Sequence, residues 1–410
     1  MELRTVDSLE GAREKLLRAA DGKVPKVERV RFTEGLGRIL AEDIVAKEPV
    51  PAFRKSTVDG YAVIAQNTQG VTESIPVFLE VIETVSIGTP PRKTLRAGQA
   101  VYVPTGGMVP EGADAMVMVE YCESFDDTSI AVYDAVSPGR NVIAVGEDVA
   151  EGQVLLKRGT RLRPQEIGVL ASSGILEVPV YCPWKVAVIS TGDELVDAGD
   201  PPELAQTRDI NTYSVSATSR QYGLEVVEQH VLKDDMALLE QTIAAAMQDC
   251  DLIAVSGGSS QGEHDFTADV LNRLSGGGVF THGIALKPGK PTILGYDQNT
   301  ESILMGLPGH PAAAMLVYRL YALWLYRMLT GQEPEVKTFA RITENVAAAG
   351  GKSTCLLVRL RIGNDGFYEA VPVFGKSGLM TTLTEADGYT IIDMNAEGLQ
   401  AGQLITVAVL

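Results

Sequence analysis

The spacing of apolar residues divides the chain into regions of different secondary structure. Over residues 5–22 the apolar positions Leu9, Ala12, Leu16 and Leu17 recur at helical spacing, which predicts a helix. From about 27 to 175 short apolar runs are broken by Gly and Pro, which is typical of β structure, with one helical segment over 164–173. The strands predicted there are 77–85, 100–103, 115–119 and 130–133.

Between 185 and 330 strand-like and helix-like segments alternate, which predicts a parallel sheet with helices on both sides. The predicted strands are 186–189, 224–231, 252–255, 283–286 and 302–305, and the predicted helices include 234–248 and 311–329. From about 332 the chain returns to short strands, which predict a small β-barrel or sandwich. These strands are 355–362, 368–373, 390–393 and 403–409.

Composition narrows the class of protein. The 410 residues suggest two to four domains, and the net charge of -18 argues against a nucleic-acid partner. Any anionic ligand must therefore be held by local cations. Four scattered cysteines without a CxxC pair exclude a local zinc motif and favour a reducing, cytoplasmic compartment. The N-terminus is too polar for a signal peptide, and Arg319 and Arg327 make the segment 311–329 a buried helix rather than a membrane span.

The stretch from Asp251 to Asp265 carries the clearest chemical pattern. A buried strand ends at a loop that contains Gly257, Gly258 and Ser259, and Glu263 and Asp265 follow. Glycines after a strand let backbone N–H groups approach an anion, and a nearby carboxylate suits a divalent cation that bridges phosphates. The stretch predicts binding of a phosphorylated small molecule with a metal ion, while a Gly-rich turn used only for packing is the alternative.

Other polar loops follow the predicted strands of the α/β region, where ligands bind in such sheets. Ser190 to Leu195 holds two hydroxyls and two acids, and it is either a tight turn or part of a polar site. Asp209 or Asn211 is a candidate N-cap of the next helix. Capping likewise explains one of Asp234 and Asp235, but it does not require both.

The turn Lys287-Pro288-Gly289-Lys290-Pro291 places two lysines on a rigid backbone, which suits an oxyanion or phosphate, although solvated turn lysines are the alternative. In Leu307-Pro308-Gly309-His310-Pro311, Pro311 fits the first position of the apolar helix. His310 is interpreted as a capping or packing residue.

Taken in order, these motifs resemble the molybdopterin molybdenumtransferase family, which includes the bacterial MoeA proteins and the E domain of gephyrin. The matching segments are STVDGYAV (56–63), PTGGMVPEGADAMVMVE (104–120), GEDV (146–149), STGDEL (190–195), RDINTY (208–213), SGGSSQGEHDF (256–266), KPGKP (287–291), LPGHPAAA (307–314) and SGLMTTL (377–383). They span nearly the whole chain.

The resemblance implies a multidomain fold and an elongated homodimer whose active site is built from both subunits. The implied domains are an N-terminal helical segment (1–26), a discontinuous linker domain (27–45 and 147–176), a β-rich lid domain (46–146), a doubly wound α/β molybdopterin-binding domain (177–330) and a C-terminal β-barrel (331–410).

The resemblance also implies the reaction, in which molybdate and adenylylated molybdopterin give the molybdenum cofactor and AMP with help from Mg²⁺. The matching catalytic positions are Asp59, Thr105, Asp148, Glu194, Asp234, Asp265 and Lys287. The implied positions for substrate and oxyanion are Gly257, Gly258, Ser259, Lys290, Pro308, Pro311, Arg359 and Ser377. Glu194 and Asp265 are the implied metal ligands, and no covalent nucleophile is needed.

The chain departs from the family pattern at Arg54-Lys55, His282-Gly283 and His310. The choice between molybdate and tungstate stays open, as does docking of a molybdopterin adenylyltransferase. Three other functions are alternatives: a molybdopterin adenylyltransferase, a nucleotide pyrophosphatase on the same fold, and a non-catalytic scaffold of the gephyrin E-domain type. The lid and the barrel disfavour the first, and the lack of a basic or Pro-rich linker disfavours the scaffold.

Overall fold

The computed structural model describes residues 6–126, 128–257, 266–375, 378 and 381–410. The first element is the helix Leu9–Ala19, which begins where the Ser8 hydroxyl accepts a hydrogen bond from the Gly11 N–H. Leu9, Ala12 and Leu16 are buried against the α/β core, whereas Leu17 is exposed. The predicted helix is therefore confirmed, but its buried face is narrower than predicted because it does not include Leu17.

Two separate parts of the chain pair in a small linker region. The strand Val27–Arg31 runs antiparallel to Glu177–Tyr181, and Ile44–Val45 pairs with Val154–Leu156. The helix Pro164–Ser172 lies between them in sequence, as predicted, and Pro164 occupies its first turn. The predicted domain boundaries themselves stay predictions.

The lid region contains a curled six-stranded sheet. Its strand order is Ala115–Met118, Gly60–Val63, Gln99–Val103, Val77–Thr84, Ser129–Val132 and Cys122–Ser124. The four predicted strands are confirmed, and Gly60–Val63 and Cys122–Ser124 are additions. The short strands Lys55–Ser56 and Val142–Ile143 form a separate pair beside it. Apolar side chains on the two faces of the large sheet form separate cores.

The α/β region is built on a second six-stranded sheet. Its strand order is Glu225–Leu232, Lys185–Thr191, Leu252–Gly257, Ser302–Leu307, Ile293–Asp297 and Val279–His282. The first four strands are parallel, but Ile293–Asp297 runs antiparallel to both of its neighbours. The sheet is therefore mixed, and the prediction of a parallel sheet is wrong at that edge. Leu195–Val196 and Thr207–Arg208 form a small parallel pair outside it.

The strand predicted at 283–286 is also wrong. Leu286–Lys287 pairs with the strand Ser353–Ile362 of the C-terminal region and not with the α/β sheet. Ile284 and Leu286 are fully buried all the same. The apolar pattern indicates only that these residues are buried. A connecting segment can be buried as completely as a strand of the sheet.

Helices cover both faces of this sheet, which confirms the doubly wound α/β fold. Asn211–Gln221 packs beside the helix that begins at Pro311, and Met236–Ala246 packs beside Phe266–Leu274. The apolar segment consists of the α-helix Pro311–Tyr318, a π-helical stretch Arg319–Leu323 and the α-helix Trp324–Leu329, and it is largely buried. Among the described residues, no helix has the length and apolar character needed to cross a membrane.

The C-terminal region is a closed β-barrel. Around the barrel the strands follow in the order Ser353–Ile362, Tyr368–Pro372, Lys337–Ile342, Leu404–Val409 and Gly388–Ile392, and the last pairs with the first. The short strands Val346–Ala347 and Gly398–Leu399 and the helix Thr381–Thr384 complete it. Arg319 joins the apolar helix to the barrel, since its guanidinium donates to Glu335 and to the Val409 carbonyl.

Candidate functional site

Polar side chains collect where the parallel strands of the α/β sheet end. Lys185–Thr191 and Leu252–Gly257 finish at the same edge, because parallel strands point the same way. Ser190, Thr191 and Ser256 are buried there. The helix Asn211–Gln221 begins beside them, and the Thr212 hydroxyl donates to Ser190 Oγ at 2.8 Å. This carboxyl edge is the place where the sequence predicted the site.

Asp234 is positioned by a neighbouring strand and is not a helix cap. Its Oδ1 accepts a hydrogen bond from Thr191 Oγ1 at 2.9 Å, and its N–H donates to Asp193 Oδ1 at 3.2 Å. Asp235 caps the helix Met236–Ala246 by accepting from the N–H groups of Ala237 and Leu238. The structure thus assigns the capping role to Asp235 and leaves the exposed carboxylate of Asp234 available for chemistry.

Glu194 lies on the turn that follows the strand Lys185–Thr191. Its carboxylate lies over Gly192, where a methyl group would come within 2.7 Å of Oε2. Among the described residues, no side chain or N–H hydrogen-bonds to this exposed carboxylate. Lys233 holds the turn in place, since its Nζ donates to the carbonyls of Asp193 and Leu195 at 2.8 Å each. Lys233 was not predicted, and its only sequence signal is its position before the two aspartates.

A cavity of about 670 Å³ opens beside these acids. Leu195 and Lys233, the chain neighbours of Glu194 and Asp234, line it together with Tyr213 and Gln229. Tyr213 is fixed by its hydroxyl, which donates to Asp197 Oδ2 at 2.8 Å. The volume falls within the range of small-molecule sites.

Asn211 ties two loops of the edge together. Its Nδ2 donates to Ser256 Oγ at 2.5 Å and to the Gly309 carbonyl at 2.9 Å. Ile210 occupies the N-cap position of the helix, so the capping interpretation is wrong for both Asp209 and Asn211, although Asp209 Oδ1 accepts from the Thr212 N–H at 3.4 Å. The buried atoms Asp209 Oδ2 and Asn211 Oδ1 have no partner in the described part of the chain.

Gly257 is needed for the close approach of two strands. Its φ is +105°, and a Cβ would lie 1.9 Å from the Thr191 carbonyl oxygen. This steric requirement accounts for the glycine, and its predicted contact with substrate stays a prediction. Gly258, Ser259 and Asp265, which follow it, lie outside the described residues, as does Ser377.

Changing Gly257 to Ala is expected to destabilise the protein by about 3 kcal/mol, because the methyl group meets a backbone oxygen at a backbone angle that favours glycine. Chemical denaturation would measure the free energy of unfolding. Gly309→Ala is the control, since no atom of the described residues lies within 4 Å of its added Cβ. Equal stability of the two variants would contradict the packing role.

The lysine turn lies against the apolar helix. A Cβ at Gly289 would be 2.9 Å from a methyl group of Val317, so the turn packs tightly there. Lys287 and Lys290 are both exposed, and neither ammonium group has an ion-pair partner among the residues that the structure describes. The two free cations agree with the charge that an oxyanion site needs.

The loop Pro308–His310 leads into the same helix. Pro311 is the first helical residue and His310 occupies the N-cap position, as predicted. Pro308 and Pro311 are buried beside the edge, and their contacts with substrate stay predictions. From the barrel side, a Cβ on Gly378 would lie 3.8 Å from His310 Cδ2. Arg359 lies on the barrel and donates to the carbonyl and carboxylate of Glu385.

The predicted lid residues Asp59 and Thr105 are brought together by strand register. Gly60 pairs with Val103 in antiparallel strands, so the residues just before one strand and just after the other meet. Asp59 Oδ1 accepts from the Thr105 N–H at 2.7 Å and from its hydroxyl at 2.9 Å. These two hydrogen bonds, the backbone one first, lower the pKa of Asp59 and keep it ionised. Asp148 is exposed on a separate loop, and its N–H donates to the Val50 carbonyl.

Two groups of predicted residues are therefore assembled, one in the lid and one at the carboxyl edge. Within the described ranges, no hydrogen bond or ion pair joins Asp59 or Thr105 to Glu194, Asp234 or Lys287. Nor do three His, Cys, Asp or Glu side chains gather there as a metal site. The predicted metal pair includes Asp265, which lies outside those ranges, so it stays a prediction.

Three family profiles match consecutive parts of the chain. They are described as "MoeA N-terminal region (domain I and II)" over residues 7–174, "Probable molybdopterin binding domain" over 187–327 and "MoeA C-terminal region (domain IV)" over 340–410. Together they follow the lid and linker regions, the α/β region and the barrel in order.

Similar proteins cover nearly the whole chain. It is 34% identical to the molybdopterin molybdenumtransferase of Haemophilus influenzae, over 98% of this chain and 98% of that protein. It is 30% identical to the protein of the same name from Bacillus subtilis, over 94% and 90%. The crystal structure of the molybdopterin biosynthesis MoeA protein from Pyrococcus horikosii matches with a TM-score of 0.80 and 35% identity, over 99% of both chains.

Proposed function

This chain belongs to the MoeA family of molybdopterin molybdenumtransferases, and we propose on that basis that it transfers molybdenum from molybdate to adenylylated molybdopterin and releases AMP. The observation that carries the proposal is the exposed Asp234 carboxylate, which Thr191 orients at the carboxyl edge while Asp235 caps the helix. Glu194 on the adjacent turn supplies a second carboxylate without a partner among the described residues.

The proposed reaction needs no covalent intermediate with the protein. Hydrolysis of the phosphoanhydride breaks a P–O bond, adds water and frees AMP. Binding of the two thiol sulfurs to molybdenum removes their protons with one oxygen of molybdate as water. The role of the chain is to hold two anionic reactants together in a protein of charge -18, for which Lys287 and Lys290 supply exposed cations.

Mg²⁺ is the cofactor we propose, and Glu194 and Asp234 fit it because carboxylate oxygens are its preferred protein ligands. Asp265 is the third proposed ligand. The ion would neutralise charge on the phosphates during cleavage of the anhydride. Thr191 and Lys233 would keep the two described acids in place. The neighbouring cavity of about 670 Å³ is the room that we propose for the nucleotide part of the substrate.

Removal of Mg²⁺ is expected to slow AMP release at least about a hundredfold, because the phosphate charge is then unscreened. The measurement is AMP production after chelation with EDTA and after excess Mg²⁺ is restored. The thermal unfolding midpoint, recorded in parallel, controls for loss of structure. Full activity in chelator would contradict the metal assignment.

We further propose that the protein is a homodimer in which the lid of one subunit completes the carboxyl edge of the other. Asp59 and Thr105 form a pre-organised pair that is not hydrogen-bonded to the described edge residues of its own chain. A site completed by a second copy would give this pair a partner surface.

All four cysteines are free thiols, which supports the proposed cytoplasmic location.

The test of the proposed function is release of AMP from purified adenylylated molybdopterin with Mg²⁺, with and without molybdate. AMP release that depends on the oxyanion supports the transferase, and parallel reactions with tungstate identify the preferred metal. Consumption of ATP and molybdopterin instead would support an adenylyltransferase. Peptide binding without either reaction would support a scaffold and overturn the proposal.

A further inference from the structure

A second cavity lies away from the carboxyl edge, at the other end of the helix Asn211–Gln221. It has a volume of about 290 Å³ and lies between the segment 36–39 and the helix end at residues 220–223. The helix has 11 residues, so its two ends are about 15 Å apart. The cavity is therefore separate from the acids and lysines of the proposed active site.

Three arginines and three tyrosines line this cavity: Arg38, Arg161, Arg220, Tyr181, Tyr222 and Tyr326. Arg161 donates to two neutral carbonyls, Gly37 O at 3.1 Å and Tyr222 O at 3.0 Å. Arg220 is exposed at the helix end, and the described residues offer it no carboxylate partner. Arg38 alone is paired, with Glu28. Two guanidinium groups therefore have no carboxylate partner among the described residues, in a chain whose net charge is -18.

The cavity also offers a neutral donor. Tyr326 is almost fully buried, and its hydroxyl has no hydrogen-bond partner in the described part of the chain. Burial raises the pKa of Tyr326 to about 12, although the charges of Arg161 and Arg38 act in the opposite direction. The hydroxyl therefore stays protonated.

We propose that this cavity is a second anion site, which binds a tetrahedral oxyanion or the phosphate group of a phosphomonoester. Planar guanidinium groups present paired N–H donors that match such oxygens, and a tyrosine hydroxyl adds one more donor. The volume limits the bound group to a small ion or the phosphate end of a larger molecule. Because its walls come from the segment 36–39, Arg161 and the end of an α/β helix, a bound anion would link the linker region to the α/β region.

The test is calorimetric titration of the full-length protein with inorganic phosphate, with molybdate and with AMP. Arg220→Gln removes one exposed guanidinium group. This group has no hydrogen-bond or ion-pair partner among the described residues, so the variant should keep the fold. We expect the dissociation constant for phosphate to rise about tenfold. Arg96→Gln, which removes an exposed arginine from the lid, should bind as the wild type does.

Titration of Lys287→Ala separates this cavity from the proposed active site. Binding kept in Lys287→Ala and weakened in Arg220→Gln supports the second site, whether or not the transferase assay succeeds. Tighter binding of AMP than of phosphate, weakened in Arg220→Gln, would identify a phosphomonoester as the ligand. Tighter binding of molybdate, with the same dependence, would identify a free oxyanion. Equal binding to Arg220→Gln and wild type, loss only in Lys287→Ala, or no binding at all would overturn the proposal.

Discussion

Asp234→Asn is expected to reduce turnover by at least a hundredfold while the protein stays folded. Asparagine has the same size, and its Oδ1 can still accept the hydrogen bond that Thr191 donates to Asp234. Only the negative charge is lost, and with it the proposed interaction with the cation on the phosphates. The measurement is the rate of AMP release at saturating substrate, together with the free energy of unfolding.

The neighbouring residue provides a matched control. Asp235→Asn makes the same chemical change one position along the chain, where the side chain caps a helix. Asparagine is as good a cap as aspartate, so both stability and turnover should stay close to the wild-type values. Equal loss of activity in the two variants would show that general electrostatics, and not the position of Asp234, matters.

Mixed dimers are expected to recover activity that neither parent variant has. Asp59→Asn removes the charge of the lid pair and Asp234→Asn removes a carboxylate of the edge, so each homodimer should be inactive. If each site combines the lid of one subunit with the edge of the other, the heterodimer has one intact site. Random reassociation of equal amounts should then restore about a quarter of wild-type activity.

The control mixture combines Asp234→Asn with Glu194→Gln. Both changes fall on the carboxyl edge, so every site in that heterodimer carries one of them and no activity should return. Activity would be measured on heterodimers purified through two different tags, with sedimentation to establish the dimer. A site formed within one chain predicts no recovery in either mixture, and that result would reject the shared cleft.

Much of the fold was predictable because apolar periodicity reports burial directly. The α/β alternation, the lid strands and the barrel strands follow from it. Strand direction did not follow, because it depends on how connections run. One strand, Ile293–Asp297, therefore runs antiparallel to both of its neighbours in a sheet that was expected to be parallel. The run 283–286 shows the same limit, since it is buried without joining that sheet.

The candidate site was predictable mainly through ordered motifs. Asp59 and Thr105 are 46 positions apart, and only the register between two strands brings them into contact. For Asp234 and Asp235 the sequence indicated that only one of the two acids is needed as a helix cap. Which of them is the cap could be assigned only from the structure, where the Asp235 carboxylate accepts from the helix N–H groups. Lys233 acts through backbone carbonyls, which leave no trace in side-chain patterns.

The pairing of Leu286–Lys287 with the barrel has a mechanical consequence. Lys287, one of the proposed substrate-binding lysines, is held by strand pairing to Ser353–Ile362, while the adjoining turn packs against the apolar helix. A rigid-body rotation of the barrel would therefore also displace Lys287 and its ammonium group. Removing the barrel would also leave the backbone of Leu286 and Lys287 without its strand partner. The C-terminal region therefore fixes the position of a lysine that we propose to face the reactants.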